Sequence, residues 1–579
     1  MRKRCVFVLL IFIFPGILRS GNNTSSRYPK WEVRAVWLAT VAGLDWPSSH
    51  NPDEQKKSLS DIVERLSNAH YNTIYFQVRG RGDAMYHSSY EPWSQQLTGT
   101  IGKDPGWDPL EFIVREAHAH NMEVHAWFNT FLVKNGNGSG SLNVANIHPE
   151  WVHSVGGETW LDPGIPAARQ YTLKVALEIV RDYDIDGFHF DFMRYPEKGF
   201  SDDAIYRRYG NRNISKSDWR RKNINTFIAA FYDSATSIKP RLKVGSAPIG
   251  IYQNTAGVNG LQSYTNLYQD SREWLRQGWQ DYIVPQVYWA LGRSGGHPDF
   301  ALVAKDWSAN TFGRQVYLGV GVYKPDVAVQ VPSIIDTTRS MGFYGNAYFR
   351  YEHINKSLAV GGRYDYASFI PPMPWKDSIP PNSPRRLHVQ AFAGNYFNLK
   401  WNTPAPSKDG DAVKQYNIYR STEPNVDIND IQNFIKCIDG TVESYTDTIS
   451  RAESARYVYA VTAMDSGNNE SLPSREERVM IPEVAQLSKQ FSNRFKLEDC
   501  YAASPSKYVY FTYELSDHSP VWLTIIDKSG TEILKIVDAY QRPGKYIAAA
   551  KIEDLKSGDY TCRLTAGEKV LQRTFLVEH

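Results

Sequence analysis

Between Val33 and Glu352 the chain repeats one pattern eight times: a short run of β-branched and aromatic residues, then a longer amphipathic stretch. Few folds accept such a segment, because a strand that feeds a helix and returns to a parallel neighbour is a βα unit. The runs are Val33–Val41, Thr73–Arg79, Glu123–Phe131, Gly187–Tyr195, Lys243–Tyr252, Tyr282–Trp289, Gln315–Tyr323 and Phe343–Tyr351. Helical spacing fills the intervals, as in Asp53–Ala69, Pro109–His120, Pro166–Asp182, Asp218–Ile238, Pro298–Asn310 and Val327–Ser340. Eight such units over roughly 320 residues predict an α/β TIM (β/α)8 barrel, placed at residues 31–366.

The pattern then stops. Prolines at 371, 372, 374, 380, 381 and 384 read as an interdomain linker, residues 367–381. Short strands between turn residues follow, so the barrel is expected to precede two all-β sandwich domains. The first, residues 382–482, resembles a fibronectin type III domain in Trp401, the run Tyr416–Arg420 and the run Tyr457–Ala463 closed by Asp465-Ser466-Gly467-Asn468. The second is a small C-terminal sandwich at residues 498–579.

Residues 1–20 read as a signal peptide, with Arg2-Lys3-Arg4 ahead of an apolar run from Val6 to Phe14. Export to the periplasm or surface of a bacterium follows; whether the segment is cleaved or stays as an anchor is left open. No other stretch is apolar and long enough to cross a bilayer. Taking away the four positives of this segment turns the formal charge of +3 to −1. With no basic cluster left, nucleic acid is not an expected partner. Cys437, Cys500 and Cys562 form no CxxC, so no zinc site is expected; Cys500 and Cys562 either pair or remain thiols. Aromatics at 13% are compatible with stacking on sugar faces, and equally with large cores.

In such barrels the chemistry comes from the C-terminal ends of strands and the loops after them. Asp191, in Asp186-Gly187-Phe188-His189-Phe190-Asp191-Phe192-Met193-Arg194-Tyr195-Pro196, is the leading catalytic candidate, a carboxylate at the mouth of the fourth strand with Arg194 and Tyr195 beside it. Such a group serves a glycosidase as nucleophile or base, and a second carboxyl must act as acid. Asp83, Glu352, Glu158 and Asp270 are the candidates for it, with Asp83 and Glu352 preferred because both directly follow strands. Arg79, His125, Trp127, Asn129, His189, Arg194, Tyr195, Gln286, Tyr288 and Trp289 are the expected substrate-binding set, since alternation puts His125, Trp127 and Asn129 on one strand face and His189 with Asp191 on another. No Asp/His cluster at ligand spacing is present at the strand ends, so no metal and no other cofactor is expected.

The ordered segments Arg34–Thr40, Leu44-Asp45-Trp46-Pro47, Arg79–Asp83, Pro92-Trp93-Ser94, His125–Asn129, Trp160–Gly164, Asp186–Pro196 and Asp281–Trp289 resemble the glycosyl hydrolase-like 10 family, over about Trp31 to Tyr364. The resemblance implies a glycosidase of the cell envelope acting on peptidoglycan glycan strands. Many relatives carry two adjacent Asp in the fourth-strand motif, where this chain has Asp191 and Phe192. The expected function is therefore an exported glycoside hydrolase acting on a polymeric glycan, with the β domains spacing the barrel from a surface or recruiting an envelope protein. The alternative is a noncatalytic glycan-binding scaffold. A second carboxyl across an aromatic cleft from Asp191 favours the enzyme, and its absence the binder.

Overall fold

The computed structural model describes residues 27–577 apart from 136–141, 212, 294–296, 356–359, 394–395, 450–455, 481–483, 489–493, 499, 503–507 and 552–554. The signal peptide read at 1–20 lies outside the described residues. Within the described residues no helix is long and apolar enough to cross a membrane.

The eight expected strands are present and parallel. They run Val33–Leu38, Thr73–Arg79, Glu123–Asn129, Gly187–Asp191, Lys243–Ser246, Tyr282–Ile283, a seventh in two pieces (Gln315–Val316 and Leu318–Val320), and Gly345–Tyr348. Each pairs with its neighbour in chain order, and the first pairs with the eighth. The two pieces of the seventh lie at opposite ends of the hydrogen-bonded order, one against the sixth strand and one against the eighth. Tyr317 alone separates them, and its N–H donates to Ile283 O at 3.0 Å, which brings the ring to closure.

Asx-Pro signals start two of the outer helices. Asn51 accepts from the N–H groups of Asp53 and Glu54 ahead of helix Pro52–Asn68, and Asp108 does the same for Leu110 and Glu111 ahead of Pro109–Ala119. A capping acceptor followed by proline at the first helical position satisfies orphan donors and presets φ. Outward strand residues such as Phe76, Val124, Phe188 and Phe190 pack with Leu59, Val63, Ile113 and Ile179 of the helices.

The inward residues build a second core. Trp37, Tyr75, Trp127, Tyr282, Val284 and Tyr317 share it with Ala35, Ala247 and Ala347. Small residues make room for rings: a Cβ at Gly187 would lie 2.4 Å from the His125 ring, and one at Gly245 2.4 Å from that of Tyr282. Gly187→Ala is accordingly expected to cost about 1–3 kcal/mol of stability through overpacking, read as a lower midpoint in urea unfolding.

A file of polar groups threads this core. Trp37 Nε1 donates to His189 Nε2 (3.1 Å), His189 Nδ1 meets Tyr282 Oη (3.1 Å), Tyr282 Oη meets His125 Nδ1 (2.7 Å), and His125 Nε2 meets Glu123 Oε2 (3.1 Å). One proton assignment satisfies every member, each donating to the next down to the carboxylate. Burial holds the His189 pKa well below the ordinary histidine range, in keeping with its acceptor role toward Trp37. At the floor, Glu123 pairs with Lys243 at 2.5 Å and accepts from Asn468 Nδ2 at 3.2 Å.

Asn468 belongs to the all-β part of the chain, so the floor of the barrel is an interface. The stretch read as a linker is also part of it. Met373 joins the interior core, Trp375 Nε1 donates to Asp281 at 2.8 Å, Lys376 pairs with Asp281 at 3.0 Å, and Phe369 exchanges backbone bonds with Lys30 and Glu32. Apolar side chains between the prolines find partners under the barrel and strap the segment there.

Beyond the strap, strands Arg385–Ala393, Tyr396–Asn402 and Ser444–Thr448 form one antiparallel sheet, and Phe434–Asp439, Gln415–Ser421, Arg456–Met464 and Glu477–Met480 another. Leu387, Phe397, Leu399 and Trp401 of the first share a core with Tyr416, Ile418, Tyr459 and Val461 of the second. Two further sheets follow over a core that includes Val509, Phe511, Leu523, Ile525 and Leu564. Cys500 and Cys562 are free thiols, with Cys562 raised in pKa first by its hydrogen bond with Cys500 and then by burial.

Candidate active site

The C-terminal ends of the strands surround a cavity of about 340 Å³. Trp37, Trp127, Phe192, Tyr288, Tyr323 and Phe349 give it aromatic walls, Gln77, Asn129, Gln269 and Gln286 supply amides, and Arg81 and Arg194 supply positive charge. Asp191 is the one carboxylate among the described lining residues.

Asp191 ends the fourth strand in register with Asn129 of the third. Its Oδ1 accepts from the Phe192 N–H at 2.7 Å, and its backbone carbonyl accepts from both N and Oγ1 of Thr130. Burial pushes its pKa up to about 6, against the opposing pull of the Phe192 N–H, then Arg194, Trp127 and Arg81. The Trp127 indole lies close enough to add to that pull but stands outside hydrogen-bonding geometry. No contact ion pair joins Asp191 to Arg194. The Arg194 guanidinium stands 5.1 Å over the rings of Trp160 and Phe192, and burial lowers its pKa. Phe192 holds a left-handed φ of 49°, a conformation uncommon for a bulky residue, which puts its ring against Trp160 (5.8 Å between centroids).

Of the expected binding set, Trp127, Asn129, Arg194, Gln286 and Tyr288 line the cavity. His125 and His189 share the inward faces of their strands but sit lower, in the polar file beneath. Tyr195 is fully buried against Phe200 and Tyr268 and is hydrogen-bonded by Asn223. Trp289 packs outside the cavity, against Gly250. Arg79 turns away altogether. The register between the second and third strands shifts between Gln77 and Arg79, so Gln77 pairs with Trp127 but Arg79 with Phe128. A bulge of this kind reverses the inward face, and the Arg79 guanidinium forms a bidentate pair with Glu91 at 2.7 and 2.5 Å.

Neither preferred acid reaches the cavity. Asp83 folds back in its turn to accept from the Arg81 N–H at 2.8 Å. Glu352 pairs with Arg350, which also holds Asp45, and the Glu352 N–H donates to Asp45 at 2.9 Å; this cluster fastens the end of the eighth strand to the loop after the first. Asp270 accepts from the Tyr252 hydroxyl at 2.7 Å and lies outside the cavity. Glu158 stands on a three-stranded antiparallel sheet inserted after the third strand (Leu132–Asn135, Val152–Val155, Glu158–Leu161), accepts from the Trp160 indole at 3.2 Å, and acts electrostatically on Arg81 and Arg194.

Sequence reasoning did not assign Trp37, Gln77, Arg81 and Phe349 to the site. Trp37 and Phe349 carried a usable signal, the inward parity of their strands; Arg81 did not, because the bulge precedes it. Among the described residues one carboxylate trio could offer metal ligands, Asp377, Asp409 and Asp411, and the Arg241 guanidinium already pairs with two of its members.

A sequence model described as Glycosyl hydrolase-like 10 matches residues 32–338. Glycosyl hydrolase YngK of Bacillus subtilis is 33% identical over 481 residues, 77% of this chain and 92% of that protein. Glycosyl hydrolase DigH of Escherichia coli K12 is 35% identical over 324 residues, 50% of this chain and 73% of its own length. Among solved structures, the endo-beta-1,4-mannanase of Thermotoga petrophila superposes with a TM-score of 0.36 at 9% identity, covering 79% of this chain and 98% of its own, too loosely to bear on chemistry.

Proposed function

The chain belongs to the glycosyl hydrolase-like 10 family and is a glycoside hydrolase, and we propose that it is exported and cleaves the glycan strands of peptidoglycan at the barrel mouth, with Asp191 as its catalytic carboxyl. The observation that carries this reading is the isolation of one mostly buried carboxyl, raised in pKa to about 6, among aromatic walls and two guanidinium groups. A carboxyl raised to about 6 keeps its proton in mildly acidic solution and a fraction of it near neutral pH, and can give it to a leaving glycosidic oxygen. Trp127, Tyr288, Tyr323 and Phe349 offer flat faces to sugar rings, while Asn129, Gln286 and Arg194 offer polar contacts to hydroxyls. The two-sheet unit after the strap we read as a fibronectin type III domain, and the C-terminal sheets as a second sandwich; both are suited to spacing the barrel from a surface or recruiting an envelope protein.

The test is to incubate the protein and its Asp191→Asn variant with glycan strands bearing peptides and stripped of them, and to read the products by mass spectrometry. New reducing ends from the wild type alone support the assignment. Strand binding without fragments from either protein refutes it in favour of a glycan-binding scaffold. The pH profile gives an independent check. As a proton donor Asp191 works in its protonated form, so kcat/KM is expected to fall about tenfold per pH unit above a break near 6.

A further inference from the structure

Breaking a glycosidic bond requires a proton for the departing oxygen and a group to meet the electron-poor anomeric carbon, and most glycosidases assign one carboxyl to each task. Asp191 is alone in the described lining. The barrel stretches outside the described set, residues 136–141, 212, 294–296 and 356–359, contain no Asp or Glu.

The third strand supplies a second observation. The Trp127 indole N–H stands near the Asp191 carboxyl without completing a hydrogen bond to it, and Asn129 Oδ1 has no donor, although these cavity-lining residues are 2% and 0% exposed. Buried polar atoms are ordinarily paired, and those left open at a cavity mark places for a ligand's polar groups. The two residues are next neighbours on one strand face, roughly 7 Å apart along it, and Asn129 is in register with Asp191. One donor and one acceptor at that spacing complement the C=O and N–H of a secondary amide. Trp37, Tyr288 and Phe349 add apolar surface for a methyl group.

Resting on the reading of the protein as a glycan-strand hydrolase, we propose that the cavity holds a 2-acetamido sugar by its amide, on Trp127 and Asn129, and that this amide oxygen does the work of the missing second carboxyl. The carbonyl oxygen accepts from the Trp127 indole with one lone pair and attacks the anomeric carbon with the other. As that C–O bond forms, the bond to the leaving sugar breaks, and Asp191 passes its proton to the departing oxygen. The products of this step are a cyclic oxazolinium ion, a free sugar hydroxyl and the Asp191 carboxylate. Water then adds to the anomeric carbon and gives a proton to Asp191, the ring bond breaks, and the acetamide is restored. One water is consumed, and the anomeric configuration is retained.

The experiment pairs cleavage of N-acetylated and N-deacetylated glycan strands with calorimetric binding of the thiazoline analogue of N-acetylglucosamine, which mimics the cyclic ion. The expected result is cleavage of deacetylated strands at least about 100-fold slower, thiazoline binding at least about 100-fold tighter than N-acetylglucosamine, and loss of about tenfold or more of that affinity in Trp127→Phe. Cleavage of both strands at one rate overturns the inference and leaves the substrate assignment standing. Thiazoline binding without cleavage of either strand does the reverse. A glycosyl adduct on Asp191, or a loss in Glu158→Gln as deep as that in Asp191→Asn, would also overturn it, by identifying a carboxyl as the second group.

Discussion

Asp191→Asn is expected to abolish hydrolysis and, at the same time, to make the protein more stable. Loss of a carboxyl that both gives and recovers a proton removes about 10³-fold or more from kcat/KM, measured on glycan strands. The gain in stability follows from the same burial that makes the group useful. A carboxyl at about 6 in the folded protein, against 3.8 in an unfolded chain, is harder to ionise when folded. Below about pH 4 both states hold the proton and nothing is lost. Between about 4 and 6 the unfolded chain ionises first and folding loses ground, and above 6 the penalty is constant, up to about 3 kcal/mol at 1.36 kcal/mol per pKa unit. The amide has no such penalty. Denaturant unfolding of wild type and variant should therefore coincide near pH 4 and diverge by about 1–3 kcal/mol at pH 7, with the inactive protein ahead. A variant less stable than wild type at neutral pH would show that Asp191 holds the fold together rather than serving the chemistry.

The second large effect belongs to the barrel floor. Glu123 is buried, and although burial itself pushes its pKa upward, Lys243 and His125 hold the carboxyl well below the ordinary range. Glu123→Gln leaves Lys243, whose side chain is 7% exposed, as an unpaired buried charge. It also weakens the contact to Asn468, which reaches in from the all-β part. Removing one member of a buried pair costs about 3–5 kcal/mol, and replacing both by apolar groups costs much less. Urea unfolding should show a loss of that size in Glu123→Gln and substantial recovery in Glu123→Gln with Lys243→Met. A double variant no better than the single one would show that the carboxylate acts through His125 and Asn468 instead. The carboxylate's contribution is present above about pH 4.5 and is lost as pH falls toward its depressed folded value.

The sequence carried the start of seven of the eight barrel strands, the eighth beginning at Gly345 rather than Phe343, and the face of most inward residues. Strand ends were less legible. The fourth, fifth and sixth runs were read through Tyr195, Tyr252 and Trp289, yet those strands stop at Asp191, Ser246 and Ile283. The loops beyond them are aromatic because they wall and support the cavity, and aromatic residues there look like more strand. Alternation gives a side chain's face but not its depth. His125 and Asn129 share a face, and only the upper one lines the site. Arg79 lies off the cavity for a different cause, a bulge that no residue type announces. Asp83 and Glu352 lie off the cavity because a carboxyl next to a turn or a helix start finds a backbone N–H or an arginine before it finds a cavity. Residues 367–381 were read as a linker from their prolines, while the Phe, Met and Trp that bind the stretch under the barrel were passed over.

The strap and the closing strand also set a timetable. The first strand leaves the ribosome early, but Gly345–Tyr348, which completes its pairing, and Phe369, which bonds to its leading residues, arrive more than 300 residues later. A nascent chain folds from its beginning only as far as its partners have emerged, so an unsealed barrel persists through most of synthesis. That delay keeps the chain open and threadable until a late stage of synthesis, as the proposed export would require.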